Sequence, residues 1–222
     1  MKIKHFLSAT LCILALDWAA VAQTTLGIVG SPTGTTRNDT YEWGAGFGFY
    51  APAGVGTTIN SLGFWDQSGT GLLQSHIVAL YGYSGSGSSY NLLASVTIAA
   101  GTVDPLIDGY RWASIGNLTL PDNGQGGNYY VILASQGGDA WTSMSGQTLN
   151  PLIGTFSSGA LIDNNSGQDM SPIPPATFAS VDGNNTGYGG GNLAFIAPVP
   201  EPATCALLGG GLLMLLAVRR KK

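Results

Sequence analysis

Between residues 23 and 198 the chain has no cysteine, one histidine, one glutamate and two cations, and each shortage removes a class of chemistry. The two cysteines of the 222-residue chain, Cys12 and Cys205, stand in apolar segments near its ends. The body between them can form no internal disulfide and offers no thiolate to zinc or to a nucleophilic mechanism. Its cations are Arg37 and Arg111, against Asp39, Glu42, Asp66, Asp104, Asp108, Asp122, Asp139, Asp163, Asp169 and Asp182, a net charge near −8. Such a body does not hold nucleic acid or an anionic bilayer by electrostatics, and leaves neutral glycans, cations and other protein surfaces as compatible partners.

His76 is the body's single histidine, in the apolar run Ser75 to Tyr81. There it reads as a hydrogen-bonded structural residue. No nucleophile elbow, paired-histidine zinc motif or phosphate-binding loop occurs. We therefore expect no catalytic residue, no metal site, no cofactor and no enzymatic activity. Ten carboxylates could still converge in pairs, which keeps a glycoside hydrolase or lyase among the alternatives.

Also lacking is any sustained helical spacing of apolar residues. Short runs rich in Val, Ile, Tyr, Trp and Thr alternate instead with Gly/Ser/Asn/Asp clusters, and glycine reaches 34 residues. The pattern predicts an all-β body, a single antiparallel β-sandwich over residues 23 to 197. Expected strands are Trp43 to Tyr50, Thr58 to Phe64, His76 to Tyr83, Leu92 to Ala99, Tyr110 to Leu120, Tyr129 to Ser135, Leu152 to Phe156, Phe178 to Val181 and Ala194 to Ala197. From Gly137 to Gly191 the chain grows richer in Gly, Asn, Ser and Pro, and long loops are expected there.

The ends differ from the body. Lys2 and Lys4 precede an uncharged run from Phe6 to Leu16, and Ala20-Val21-Ala22 precedes Gln23. That order predicts a secretory signal over residues 1 to 22, cut at an A-x-A site whose small residues are Ala20 and Ala22. At the other end, Val199-Pro200-Glu201-Pro202 leads into an apolar run closed by Arg219-Arg220-Lys221-Lys222. Pro202 fixes where a helix can begin. A helix over residues 203 to 218 would rise about 24 Å, short of the roughly 30 Å hydrocarbon core but able to span it with local thinning. The terminal cations would stay on the cytoplasmic side.

This C-terminal arrangement resembles the PEP-CTERM sorting tag. The resemblance implies processing by exosortase, a membrane protease-transpeptidase, with Pro200, Glu201 and Pro202 as recognition tripeptide and Arg219, Arg220, Lys221 and Lys222 as stop-transfer cluster. Cys205 stands where that family more often has an aliphatic residue. Together the two ends predict export, transient residence in the inner membrane, and delivery to the cell envelope, outer surface or extracellular matrix. In the body, Leu62-Gly63-Phe64-Trp65-Asp66, Ser75 to Tyr81, Asp108-Gly109-Tyr110-Arg111-Trp112 and Tyr129-Tyr130-Val131-Ile132 resemble a jelly-roll-like domain of the DUF4082 type, found on bacterial surface proteins. That resemblance covers about residues 40 to 135 and implies fold more than activity.

Three weaker signals complete the reading. Asp163 to Asp169 places oxygen side chains at alternate positions, as calcium loops do, but lacks their closing glutamate, so turn chemistry explains it first and calcium second. Asn-x-Ser/Thr triplets at Asn38, Asn117, Asn164 and Asn184 are accounted for by chance in so Asn-rich a chain. The aromatics Tyr41, Trp43, Trp65, Tyr81, Tyr83, Tyr90, Tyr110, Trp112, Tyr129, Tyr130 and Trp141 suit a core first and sugar stacking second. Trp141, in a Gly-rich stretch, is the one expected to be exposed. The expected role is a structural or interaction protein associated with exopolysaccharide; the first alternative is a carbohydrate-binding surface module, marked by an aligned aromatic row on one sheet.

Overall fold

The segment Gly44 to Ala51 reads Gly-Ala-Gly-Phe-Gly-Phe-Tyr-Ala, and its period of two decides which side chains are buried. Phe47, Phe49 and Ala51 enter the core while Tyr50, at the intervening parity, is 40% exposed. A computed structural model of the chain describes residues 24–30, 32, 34–37, 44–51, 56–84, 89–120, 128–135, 137–144, 150, 156–162, 173–178 and 187–196. These belong to one compact unit, Thr24–Ile196, and are strands and connections with no helix among the described residues. The expected signal segment, sorting tripeptide, membrane helix and stop-transfer cluster lie outside the described residues, as does the Asp163 to Asp169 loop.

In chain order the strands are β1 (Thr24–Leu26), β2 (Thr36–Arg37), β3 (Gly44–Ala51), β4 (Thr58–Trp65), β5 (His76–Tyr83), β6 (Tyr90–Ile98) and β7 (Leu106–Ile107). They continue with β8 (Tyr110–Thr119), β9 (Asn128–Ser135), β10 (Trp141–Met144), β11 (Phe156–Ile162), β12 (Thr177–Phe178), β13 (Gly187–Tyr188) and β14 (Gly191–Ile196). One sheet has the order β1-β14-β4-β8-β7, a second β11-β3-β9-β5-β6-β12, and a small third β13-β10-β2. Leaving aside the edge strands β7, β11 and β12, the first sheet contributes β1-β14-β4-β8 and the second β3-β9-β5-β6. The chain thus crosses between sheets as a jelly roll does, and the all-β antiparallel sandwich expected from alternation is observed.

Between the two large sheets lies one core. Phe47, Phe49, Val78, Leu80, Tyr130 and Ile132 come from the second sheet, and Ile59, Leu62, Phe64, Leu193 and Phe195 from the first. Each such side chain contributes roughly 1.5–3 kcal/mol by leaving water, which lets a thiol-free body hold its fold. The outer face of the first sheet carries Trp65, Tyr110 and Trp112 over Ala194, all buried. Asp108 (φ 50°) and Gly109 (φ 81°) join β7 to β8 as a two-residue turn with both φ values positive, the geometry of a type I′ hairpin.

The region expected to be loops after Gly137 instead contains β10, β11, β12 and β13. Phe156–Ile162 pairs along β3, more than a hundred residues earlier, and Trp141 and Thr142 pair with Arg37 and Thr36. These strands are short and diluted with Gly and Ser, so a local window reads them as connections; their partners are distant and lie outside any such window. The strand expected over Leu152 to Phe156 begins at Phe156 among the described residues, and that expected over Phe178 to Val181 is described as Thr177–Phe178.

Candidate functional site

The strands of the two large sheets run between two unlike ends. At one end, β4 finishes at Trp65 and hands the chain to Asp66, whose carboxylate is buried. Its Oδ1 accepts from Ser68 Oγ at 3.0 Å and Gly69 N at 2.8 Å. Its Oδ2 accepts from Gly71 N and from Arg111 Nε, both at 2.9 Å. Arg111 then donates to the carbonyls of Asp104 at 3.0 Å and Gly69 at 3.1 Å. Burial by itself would raise the Asp66 carboxyl. The Arg111 guanidinium, the Ser68 hydroxyl and the two amides outweigh it and hold the group below the usual carboxylate range.

Beside this pair sits His76, fully buried and stacked on Phe64 with ring centroids 3.7 Å apart and planes within 4°. Its Nδ1 faces the Ser135 carbonyl oxygen and its Nε2 faces Asp139 Oδ2, each at 2.9 Å. Both partner atoms are oxygens able to accept a hydrogen bond. Asp139 also accepts from Leu73 N at 2.9 Å and Gln74 N at 3.1 Å. The Asp66 and Asp139 carboxylates, the Arg111 guanidinium and both His76 ring nitrogens have partners elsewhere in the chain, whereas the buried Tyr110 hydroxyl next to Arg111 has none. His76 is hydrogen-bonded through both ring nitrogens, as expected of it, and Asp66, Asp104 and Asp139 each accept from loop amides; Asp104 Oδ2 accepts from Ala99 N at 2.6 Å.

At the opposite end the outer face of the second sheet carries tyrosine. Tyr50 on β3 pairs in register with Tyr129 on β9, and Tyr83 on β5 with Tyr90 on β6. Gly82 pairs with Tyr130, so the next residues along these two antiparallel strands are Tyr83 and Tyr129. Four tyrosines therefore stand in one cross-strand row. Ring centroids are 5.0 Å apart for Tyr50 and Tyr129, 5.8 Å for Tyr129 and Tyr90, and 5.6 Å for Tyr90 and Tyr83. Tyr90 is buried beneath its neighbours, Tyr83 and Tyr129 are half-buried and Tyr50 is exposed. Burial, with the nearby hydroxyls of Tyr129, Tyr83 and Tyr50, raises the Tyr90 hydroxyl above the ordinary phenol range.

The same outer face is covered further along. Ala79, Tyr81, Val131 and Leu133 are fully buried there, and Tyr81 Oη donates to the Pro175 carbonyl at 3.0 Å. Leu92 N donates to the Ala176 carbonyl at 2.9 Å, fastening residues 173–178 over this part of the sheet.

The aromatic expectations divide accordingly. Trp65, Tyr81, Tyr90, Tyr110, Trp112 and Tyr130 are buried, as a core-first reading has it. Trp141, expected to be exposed, is 1% exposed: it starts a strand and packs inward, whatever its Gly-rich neighbourhood suggests. Tyr50, the exposed member of the row, was missing from the aromatics singled out. The signal for it was present in the alternation, since Tyr50 has the opposite parity to Phe47 and Phe49. Tyr41 and Trp43 lie outside the described residues, and no group of three His, Cys, Asp or Glu that could hold a metal occurs among the described ones.

The family model of the PEP-CTERM protein-sorting motif matches residues 198–221. The chain thus carries this motif, which contains Pro200, Glu201 and Pro202 and implies exosortase as processing partner and sorting to the cell envelope. No curated protein matches the chain.

Proposed function

We propose that this protein is a non-enzymatic component of an exopolysaccharide-bearing cell envelope, exported by its N-terminal segment and freed from the inner membrane when exosortase acts at the C-terminal tag. The matched sorting motif is the observation that carries this reading. The commitment of Asp66, Asp104 and Asp139 to loop amides and to Arg111 or His76 supports a structural rather than a hydrolytic use of these carboxylates. A carbohydrate-binding surface module is the second reading, and the cross-strand tyrosine row favours it.

Intact-mass measurement and cell fractionation in the native host, for wild type and Glu201→Ala, test the sorting step. Wild type is expected to lose Arg219 to Lys222 and reach the outer envelope, and Glu201→Ala to keep them and stay in the inner membrane. Retention of the cluster by wild type, with both forms in the inner membrane, would overturn the reading.

A further inference from the structure

We propose that Tyr50, Tyr129 and Tyr83 form a stacking platform for a neutral polysaccharide, laid across the strands of the second sheet; this rests on the envelope reading above. Three observations converge on it. First, the three rings occupy the adjacent strands β3, β9 and β5, so with strand spacing of about 4.8 Å they extend over roughly 10 Å, enough for a short oligosaccharide segment. A ligand following them runs perpendicular to the strands. Second, the rings are graded from exposed to buried: Tyr90 lies under its neighbours and makes ring contacts with both Tyr129 and Tyr83, which fixes the two half-buried rings, while Tyr50 leans on Tyr129 from the far side. Such rings lose little freedom on binding, and each combines an apolar face for the C–H side of a pyranose with a hydroxyl for its polar edge.

Third, the platform is cleared at its β3 side. A methyl group on Gly48 would collide with the Tyr129 hydroxyl, so the absence of a side chain there is what lets Tyr129 extend over β3 beside Tyr50, the two rings tilted by 53°. The charge of the body selects the ligand class. Arg111 is bound to Asp66 at the opposite end, and the body carries ten carboxyl groups. With two cations against ten carboxyl groups the body offers an anionic glycan little attraction, whereas a neutral one needs none.

Affinity electrophoresis of the full-length protein in mild detergent tests this, with native gels containing hydroxyethyl cellulose, laminarin or galactomannan, and alginate as the anionic probe. At least one neutral polysaccharide is expected to retard wild type, and alginate is not. Tyr50→Ala and Tyr83→Ala should each weaken the retardation roughly three- to tenfold, the range for loss of one aromatic contact. Tyr50→Phe, which keeps the ring, should retain most of it, and Tyr110→Phe, on the other sheet, all of it. Urea midpoints for the same variants show that folding is intact. No retardation by any of the three neutral probes, equal retardation of wild type and both alanine variants, or preference for alginate would each overturn the proposal. Sorting is read separately through Glu201→Ala, so either result can fail without the other.

Discussion

Strand β5 begins at His76 and ends at Tyr83, about 23 Å away at the usual rise per residue, and its two ends illustrate opposite ways of finishing a sandwich. At the His76 end, the Asp66 carboxylate is buried, and Asp66 and Asp139 are matched with guanidinium, imidazole and backbone amides. At the Tyr83 end no ion pair is described, and rings touch one another and water. The first solution is rigid and specific: four donors converge on a single carboxylate, and no described oxygen of Asp66 is left for a substrate. The second is tolerant, because a ring face accepts many partners. Stability should therefore concentrate at one end and recognition at the other.

The largest effect is expected from Arg111→Ala. It leaves Asp66 buried without its cation, which typically costs about 3–5 kcal/mol. For a body of this size that lowers the melting temperature by about 10 °C, readable by calorimetry or urea unfolding. The same pair makes the closed end acid-sensitive. Because folding lowers the Asp66 pKa, its contribution is complete above the unfolded carboxyl value near 3.8 and is lost as the pH falls through the lower folded value. Asp66→Asn should accordingly flatten the acid limb of the stability curve; an unchanged limb would assign acid sensitivity to other carboxylates.

Next in size is His76→Leu, expected to cost about 2 kcal/mol by stranding the Ser135 carbonyl and removing one partner of Asp139. Paired with Asp139→Asn it should cost less than the sum of the single changes, since the two groups share one contact. Strict additivity, measured by urea midpoints, would show that the histidine acts mainly by packing on Phe64.

How much of this was legible beforehand depends on range. Runs rich in Val, Ile, Tyr, Trp and Thr between turn-forming clusters identified β3, β4, β5, β6, β8 and β9 within a few residues. The strand histidine was likewise readable from its apolar flanks. Register was not. Asp66 and Arg111 are 45 residues apart and His76 and Asp139 are 63 apart, so neither pair leaves a local pattern. The tyrosine row draws on four strands, and a one-residue slip between any two would break it. Trp141 failed for the converse reason: its neighbours look like a loop, while its position is set by pairing with Arg37.

Two glycines of β3 differ in what a side chain would meet. A methyl group at Gly46 would strike the Ile132 carbonyl oxygen, a backbone atom that can move only with β9, whereas at Gly48 it would strike the end of the Tyr129 side chain. Gly46→Ala should therefore cost about 1–3 kcal/mol, and Gly48→Ala less than about 1 kcal/mol while displacing the Tyr129 ring. Polysaccharide retardation should fall in Gly48→Ala despite its near-normal urea midpoint. The reverse ranking of the two midpoints would mean that Tyr129 is held more firmly than its partly exposed position implies.

The smallest effect on stability, and the sharpest contrast between the two ends, is expected from Tyr50→Ala. The ring is 40% exposed and its described ring contact is with Tyr129 at one side, so its removal forfeits part of one aromatic pair and little core burial, about 0.5–1 kcal/mol. The melting temperature should move by a few degrees at most. Glycan retardation should nonetheless drop severalfold, whereas Arg111→Ala, measured below its lowered melting temperature, should leave retardation intact because Arg111 sits at the far end of the strands. Two variants with opposite orders of effect on folding and on binding would separate the ends as independent devices. If Arg111→Ala weakened retardation as much as Tyr50→Ala does, the ends would be coupled through β5 and β9, and recognition would belong to the whole sheet instead of its tyrosine edge.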